Sequence, residues 1–119
     1  GIGLSPDEKH LIVAQSDPQN PIWMKYPIAE DGSLAEGIEI ANAKSAMQNF
    51  PGLPDGLAIH PSGVIFASGP GGIYVMNLDG KLLGRILTGE RTSNCTFSAD
   101  HKTLYITADS YLCRVNLGK

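Results

Sequence analysis

The chain has 119 residues, of which 42% are hydrophobic and 18% charged, with a net charge of −3. That length allows one domain or a piece of one, and the composition is globular rather than disordered. It has no basic run to give nucleic acid an electrostatic footprint and no apolar stretch longer than a strand, so neither nucleic acid nor a membrane-spanning helix is expected. Fourteen Gly and eight Pro demand frequent turns and favour an all-β chain.

Residues 1–16, GIGLSPDEKHLIVAQS, read as strand, polar turn and strand. Residues 22–28, IWMKYPI, alternate between two faces as a third strand. AEDGS at 29–33 makes the next turn. The start of 34–50 allows a fourth strand, and the rest of that stretch allows a helical turn or an irregular loop. The pattern then returns. Residues 55–69, DGLAIHPSGVIFASG, are again strand, turn and strand. GIYVMNL at 72–78 and LLGRILT at 82–88 follow as third and fourth strands, separated by the LDGK turn. GPGG at 69–72 resembles a phosphate loop in composition, but no helix follows it and a turn between strands is expected. A third copy comprises NCTFSADHKTLYITAD at 94–109 and YLCRVNL at 111–117.

Four, four and three strands in a sequence-repeating antiparallel pattern are the mark of propeller blades. The expected architecture is one partial β-propeller domain, 1–119, with blades at approximately 1–50, 51–90 and 91–119, the last lacking its outer strand. A β-sandwich is the alternative, but it does not call for an internal repeat. Cys95 and Cys113 fall on the first and third strands of the last blade. Two strand spacings, about 9.6 Å, are too wide for a disulfide, so both are expected as free thiols. The chain starts on Gly1 with no initiator Met, charged leader or apolar signal core. The expectation is a soluble protein of the cytoplasm or periplasm, cut from a longer chain or represented without its first part.

The stretches GIGLSPDEKHLIVAQSDP, LPDGLAIHPSGVIFASGPGGIYVMNLDGKLLGRI and TSNCTFSADHKTLYITADSYLCRVNL together resemble the senescence-marker-protein/gluconolactonase family. The likeness covers nearly the whole chain, is weakest across 34–50, and corresponds to blades four to six. It implies a six-bladed propeller that opens sugar lactones or related cyclic esters with a bound divalent cation. Calcium is expected first, with magnesium, zinc and manganese as alternatives. The family's acidic metal ligand in a Pro-Asp-Gly stretch matches Asp55, which the resemblance also makes the candidate to position or deprotonate water. Read without the family, Pro-Asp-Gly at 54–56 is a turn. The small polar pair that the family puts near the pocket in its last blade matches Ser93 and Asn94, candidates for substrate binding. An Asn that usually precedes the Gly-Ile-Gly stretch has no counterpart here, because the chain begins at Gly1. The ligands of the early blades have none either.

His10, His60 and His101 fall in hairpin turns without metal-type spacing, and are expected as solvent-exposed turn residues. Ser5 and Ser62 lack a nucleophile elbow. Asp17 and Asp109 each follow a second strand and are expected as turn or loop-capping groups, with a role at the rim of the pocket as the alternative. Three blades alone would expose two sheet faces. Two copies completing a six-bladed ring around a two-fold axis would cover them, as would the missing N-terminal half of a parent chain. A non-catalytic binding or assembly module is the rival reading, since fold does not fix function.

Overall fold

Three antiparallel sheets follow one another along the chain, each a meander with strands in sequence order. The first comprises β1 (Ile2–Leu4), β2 (His10–Gln15), β3 (Ile22–Pro27) and β4 (Ile38–Asn42). The second comprises β5 (Leu57–Ile59), β6 (Ile65–Gly69), β7 (Gly72–Met76) and β8 (Leu82–Leu87). The third has three strands, β9 (Thr92–Phe97), β10 (Thr103–Ala108) and β11 (Tyr111–Asn116). This computed structural model describes residues 1–118. The last residue of the expected third blade, Lys119, lies outside the described residues.

The sheets form by strand alternation, and alternation also decides how they stack. Side chains one residue apart on a strand point to opposite faces. On the first sheet, Ile12, Ala14 and Trp23 turn toward the second, where they pack with Leu57, Ile65, Ala67, Tyr74 and Met76. The opposite face of the second sheet presents Phe66 and Ile73, which pack with Cys95, Leu104, Ile106 and Ala108 of the third. Each seam is thus a dry layer between consecutive sheets, and the contacts β1–β5 and β5–β9 bring the first strands of the three sheets side by side. First strands gathered on one side, with later strands fanning outward, are the geometry of propeller blades around a bore.

The first and third blades close their opening hairpins in the same way. The Ser5 hydroxyl donates to Asp7 Oδ1 at 2.7 Å and accepts from the His10 amide at 3.1 Å, while Lys9 N donates to the same carboxylate oxygen at 3.0 Å. Ser98, Asp100, Lys102 and Thr103 repeat these bonds at 2.7, 3.0 and 3.1 Å. The left-handed position of the turn is Glu8 in one and His101 in the other, both at φ 59°.

Two expectations change, and an open one is decided. The fourth strand of the first sheet begins at Ile38 rather than near residue 34, because Leu34 only bridges back to Ile28 and the Tyr26 ring covers Gly37. A single 3-10 turn, Ala46–Gln48, follows it. The histidines are half-buried rather than solvated. His10 opens β2, and the His60 and His101 rings each lie 5.5 Å from Phe97, centroid to centroid.

Candidate active site

Asp55 stands two residues ahead of β5, and its backbone is tied to all three blades. The Pro54 carbonyl accepts from the Ser16 hydroxyl of the first blade. Asp55 N donates to Ser68 O of its own blade at 3.2 Å, and Gly56 N donates to Ser93 O of the third at 2.8 Å. The buried Ser68 hydroxyl and amide both donate to Gly56 O, at 3.0 and 2.9 Å. Only glycine fits at position 56: a Cβ there would overlap the Asn94 side-chain amide and sit 2.8 Å from Ser93 O. The backbone is therefore fixed where the side chain is free. Asp55 is exposed, and the one ion pair among the described residues is elsewhere, Lys25 with Asp79 at 3.7 Å.

The Asp55 carboxylate faces a cleft of about 550 Å³ at the mouth of the bore, shared with Ser16, Met47, Arg91, Ser93 and Asp109. Ser93 occupies in the third blade the place that Asp55 occupies in the second, and its hydroxyl lies 2.9 Å from that of Thr107. Asn94 is not on the cleft wall. It packs against Gly56, and its Oδ1 accepts from the Cys95 amide at 2.9 Å, which leaves the amide NH₂ to donate. The histidines lie at the other end of these strands, since β5 runs from Asp55 toward His60.

Two cleft residues were not singled out from sequence as site residues. Asp109 reads as a turn residue and Arg91 as loop, yet both line the cleft, and Asp109 N donates to Arg91 O at 2.7 Å. The family resemblance points to Asp55 and Ser93. It cannot find Asp109, which reaches the same mouth from the hairpin between β10 and β11. Asp17 does remain a turn residue, accepting from Gln19 N at 2.9 Å.

The donors fit a hard cation in kind and fall short in number. Asp55 supplies an unpartnered carboxylate, and oxygen donors of that type suit calcium or magnesium. A calcium shell takes about six to eight oxygens, and the described residues hold no group of three or more His, Cys, Asp or Glu able to take a metal. The thiol behind the site is not a nucleophile. Burial pushes the Cys95 pKa up to about 12, and its Sγ donates to Phe66 O at 3.3 Å. Cys113 is also free.

Blades stacked through first strands, with a fixed acid at the mouth of the bore, define a segment of a β-propeller whose axial cleft mixes charged and apolar side chains. Residues 1–110 match the family described as SMP-30/Gluconolactonase/LRE-like region, and the chain belongs to that family. It is 40% identical to a gluconolactonase of Zymomonas mobilis over 97% of its length, but spans only 33% of that relative. A gluconolactonase structure from Xanthomonas campestris superposes with a TM-score of 0.83 at 34% identity, over 99% of this chain and 37% of that one. The periplasmic gluconolactonase of Pseudomonas aeruginosa, 20% identical with a TM-score of 0.69, shares the fold over 97% of this chain and 40% of its own. The chain thus spans about a third of the relatives it matches. No helix among the described residues is long and apolar enough to cross a membrane.

Proposed function

We propose that this chain forms part of a divalent-cation-dependent lactonase of the gluconolactonase type, with Asp55 as the residue on which activity depends. The observation that carries the reading is the Asp55 carboxylate, unpartnered on a backbone tied to all three blades and open to the axial cleft. Its oxygens would hold the cation, with calcium preferred over magnesium, zinc or manganese because every nearby donor is oxygen. When bound, the cation supplies Lewis-acid polarisation of an ester carbonyl. The chain's own residues do the rest. One oxygen of Asp55, the other holding the cation, orients a water and accepts its proton as the water attacks the ester carbonyl; the proton then passes to the ring oxygen as the acyl C–O bond breaks, leaving a hydroxy acid. Ser93 holds the substrate at the cleft wall, and the exposed Asn94 beside it, off the wall but with its NH₂ left to donate, is the second candidate to meet a substrate that extends past Gly56.

Other blades must complete the oxygen set, whether from a second copy around a two-fold axis or from the remainder of a parent chain. By itself the 119-residue protein is expected to open gluconolactone slowly or not at all. A second reading, a non-catalytic binding or assembly module, draws on the lack of any three-ligand group among the described residues.

Hydrolysis of gluconolactone followed by pH-stat, with calcium and with chelator, separates the two readings. The lactonase reading expects a rate that rises with calcium and drops at least 100-fold in Asp55→Ala. A rate indifferent to both the metal and the substitution removes Asp55 from the chemistry.

A further inference from the structure

The geometry points to Asp109 and Arg91 as the specificity-determining pair of the axial cleft, recognising the hydroxyl groups of a neutral polyol ring. This rests on the cleft reading above and adds the part of the ligand that is read.

The first observation is a left-handed hairpin position whose side chain opens on the cleft. Ala108 pairs with Tyr111, leaving Asp109 and Ser110 as a two-residue hairpin loop. Asp109 has φ 54°, and Ser110 is not among the positive-φ residues. A positive φ at the first central residue alone is the pattern of a type II′ loop, whose first position glycine fills at least cost. In the second blade, the corresponding loop is Pro70–Gly71, and its positive φ of 78° falls on the second residue instead, so the left-handed first position belongs to the third blade's loop. Asp tolerates the left-handed region better than most residues, yet still less well than glycine. Here the acid side chain caps nothing among the described residues. It is exposed and lines the cleft. Strain kept at a position that opens on a site is the arrangement expected where the side chain serves a ligand.

The second observation is the scaffolding under Arg91. Its loop is pinned by the hydroxyls of Thr88 and Thr92, 2.8 Å apart. Thr92 Oγ1 donates to Glu90 O at 3.0 Å, Glu90 N donates to Thr88 Oγ1 at 3.1 Å, and the amides of Thr88 and Gly89 both donate to Gly71 O, at 2.9 and 3.0 Å. Asp109 N then clamps Arg91 O at 2.7 Å. All this rigidity ends in an exposed guanidinium on the cleft wall.

The backbones of the two residues are thus bonded, while their side chains form no ion pair among the described residues. A carboxylate that only accepts and a guanidinium that only donates, adjacent and unpaired, match vicinal hydroxyls, each of which both donates and accepts. Opposite charges that cancel suit a neutral ring.

The test is an NMR titration of the intact 119-residue protein with 1,5-anhydro-D-glucitol, a neutral polyol ring, and with tetrahydropyran, the same ring without hydroxyls. The expected result is polyol binding with amide shifts at Asp55, Arg91 and Ser93, and no tetrahydropyran binding. Arg91→Gln and Asp109→Asn should each weaken polyol binding at least fivefold. Asp109→Gly should weaken it as much while leaving the melting temperature within about 2 °C, because relief of strain and added unfolded-state entropy nearly offset. Absence of polyol binding, equal binding of tetrahydropyran, or unchanged affinity in the variants would overturn the assignment. A large drop in melting temperature in Asp109→Gly would overturn it too, since Asp109 would then be serving the turn. Neither probe contains an ester. Loss of lactone hydrolysis alone therefore counts against the activity, and unchanged variant affinity alone counts against this pair.

Discussion

Cys95 and Cys113 sit on the same face of the third blade, both in register with Ile106 of the strand between them. Their separation is therefore two strand spacings and no disulfide joins them. Their environments differ, and so should their chemistry. A thiol whose pKa lies near 12 is almost wholly protonated at pH 8 and is buried besides. Native protein treated with a thiol reagent at pH 8 should be modified first at the half-buried Cys113, and at Cys95 only after unfolding, as peptide mass mapping would show. Equal labelling of both in the native state would contradict the seam described above. The turn carboxylates offer a second residue-level test. Asp7 and Asp100 have pKa values lowered below 3.8, first by the hydroxyls of Ser5 and Ser98 and next by the amides of Lys9 and Lys102. A depressed folded pKa means that the charged form favours the fold. Its contribution is present above the unfolded value and lost as pH falls through the folded one. The melting-temperature gap between the protein and Asp7→Asn/Asp100→Asn should be constant from pH 7 to 5 and should narrow below about pH 4.

At the scale of elements, β10 carries the third blade. Leu104, Ile106 and Ala108 are all essentially inaccessible and face the second blade. Ile106→Ala should cost about 2–5 kcal/mol, measured by urea unfolding, because β9 and β11 flank it on both sides and limit collapse into the cavity. An exposed partner on the same strand, Thr107→Ala, should cost under about 1 kcal/mol. These strands were legible in the sequence because alternation and turn chemistry agreed: each of the three hairpins opens on a small or polar residue and closes on Asp, Gly or Lys. β4 was legible only in part. Its residues, Ile38–Asn42, alternate weakly, and the start of the strand is set by the Tyr26 ring over Gly37, a tertiary contact that no local pattern encodes. The half-burial of His60 and His101 has the same origin, since Phe97 comes between them only when the second and third blades stack. Asp55 and Ser93 were legible only through the family resemblance, since Pro-Asp-Gly by itself reads as a turn and Ser93 as one more strand residue. Asp109 was legible first as a turn residue, with the rim only as the alternative, because the mouth of the bore gathers loops that are distant in sequence.

At the scale of the molecule, the stack has two ends, and they are chemically different. Each inner seam is apolar from both sides: forward Ile12 and Trp23 of the first blade meet backward Leu57, Ile65 and Met76 of the second, and forward Phe66 and Ile73 of the second meet backward Cys95, Leu104 and Ile106 of the third. In the first blade the backward set is Ile2, Leu4, Leu11, Val13 and Met24, joined across β1, β2 and β3 by register, and no blade of this chain covers it. Ile2 is 64% exposed and Leu4 43%. The forward face of the third blade presents instead Thr96, Tyr105, Thr107, Leu112 and Arg114, with Leu112 77% exposed. Forward faces inside the molecule are also mixed, with Lys25 on the first blade reaching over to donate to Leu78 O at 2.9 Å. Large apolar side chains on a forward face against an apolar backward face are the pairing this chain already uses, and Tyr105 and Leu112 offer a smaller version of it on the third blade. Two copies joined head to tail would repeat it twice around a two-fold axis and bring two Asp55 carboxylates to one bore. If this is the assembly, light scattering behind size exclusion should give twice the chain mass of 12.6 kDa. Leu4→Asp should halve the mass while far-UV circular dichroism still reports strand, since that side chain serves no seam within the chain. Tyr105→Asp, at the other end, should have the same effect, because one contact uses both faces. A folded monomer in the unsubstituted protein would assign the apolar end to the remainder of a parent chain instead, and the Asp55 site would then be completed only in that longer protein.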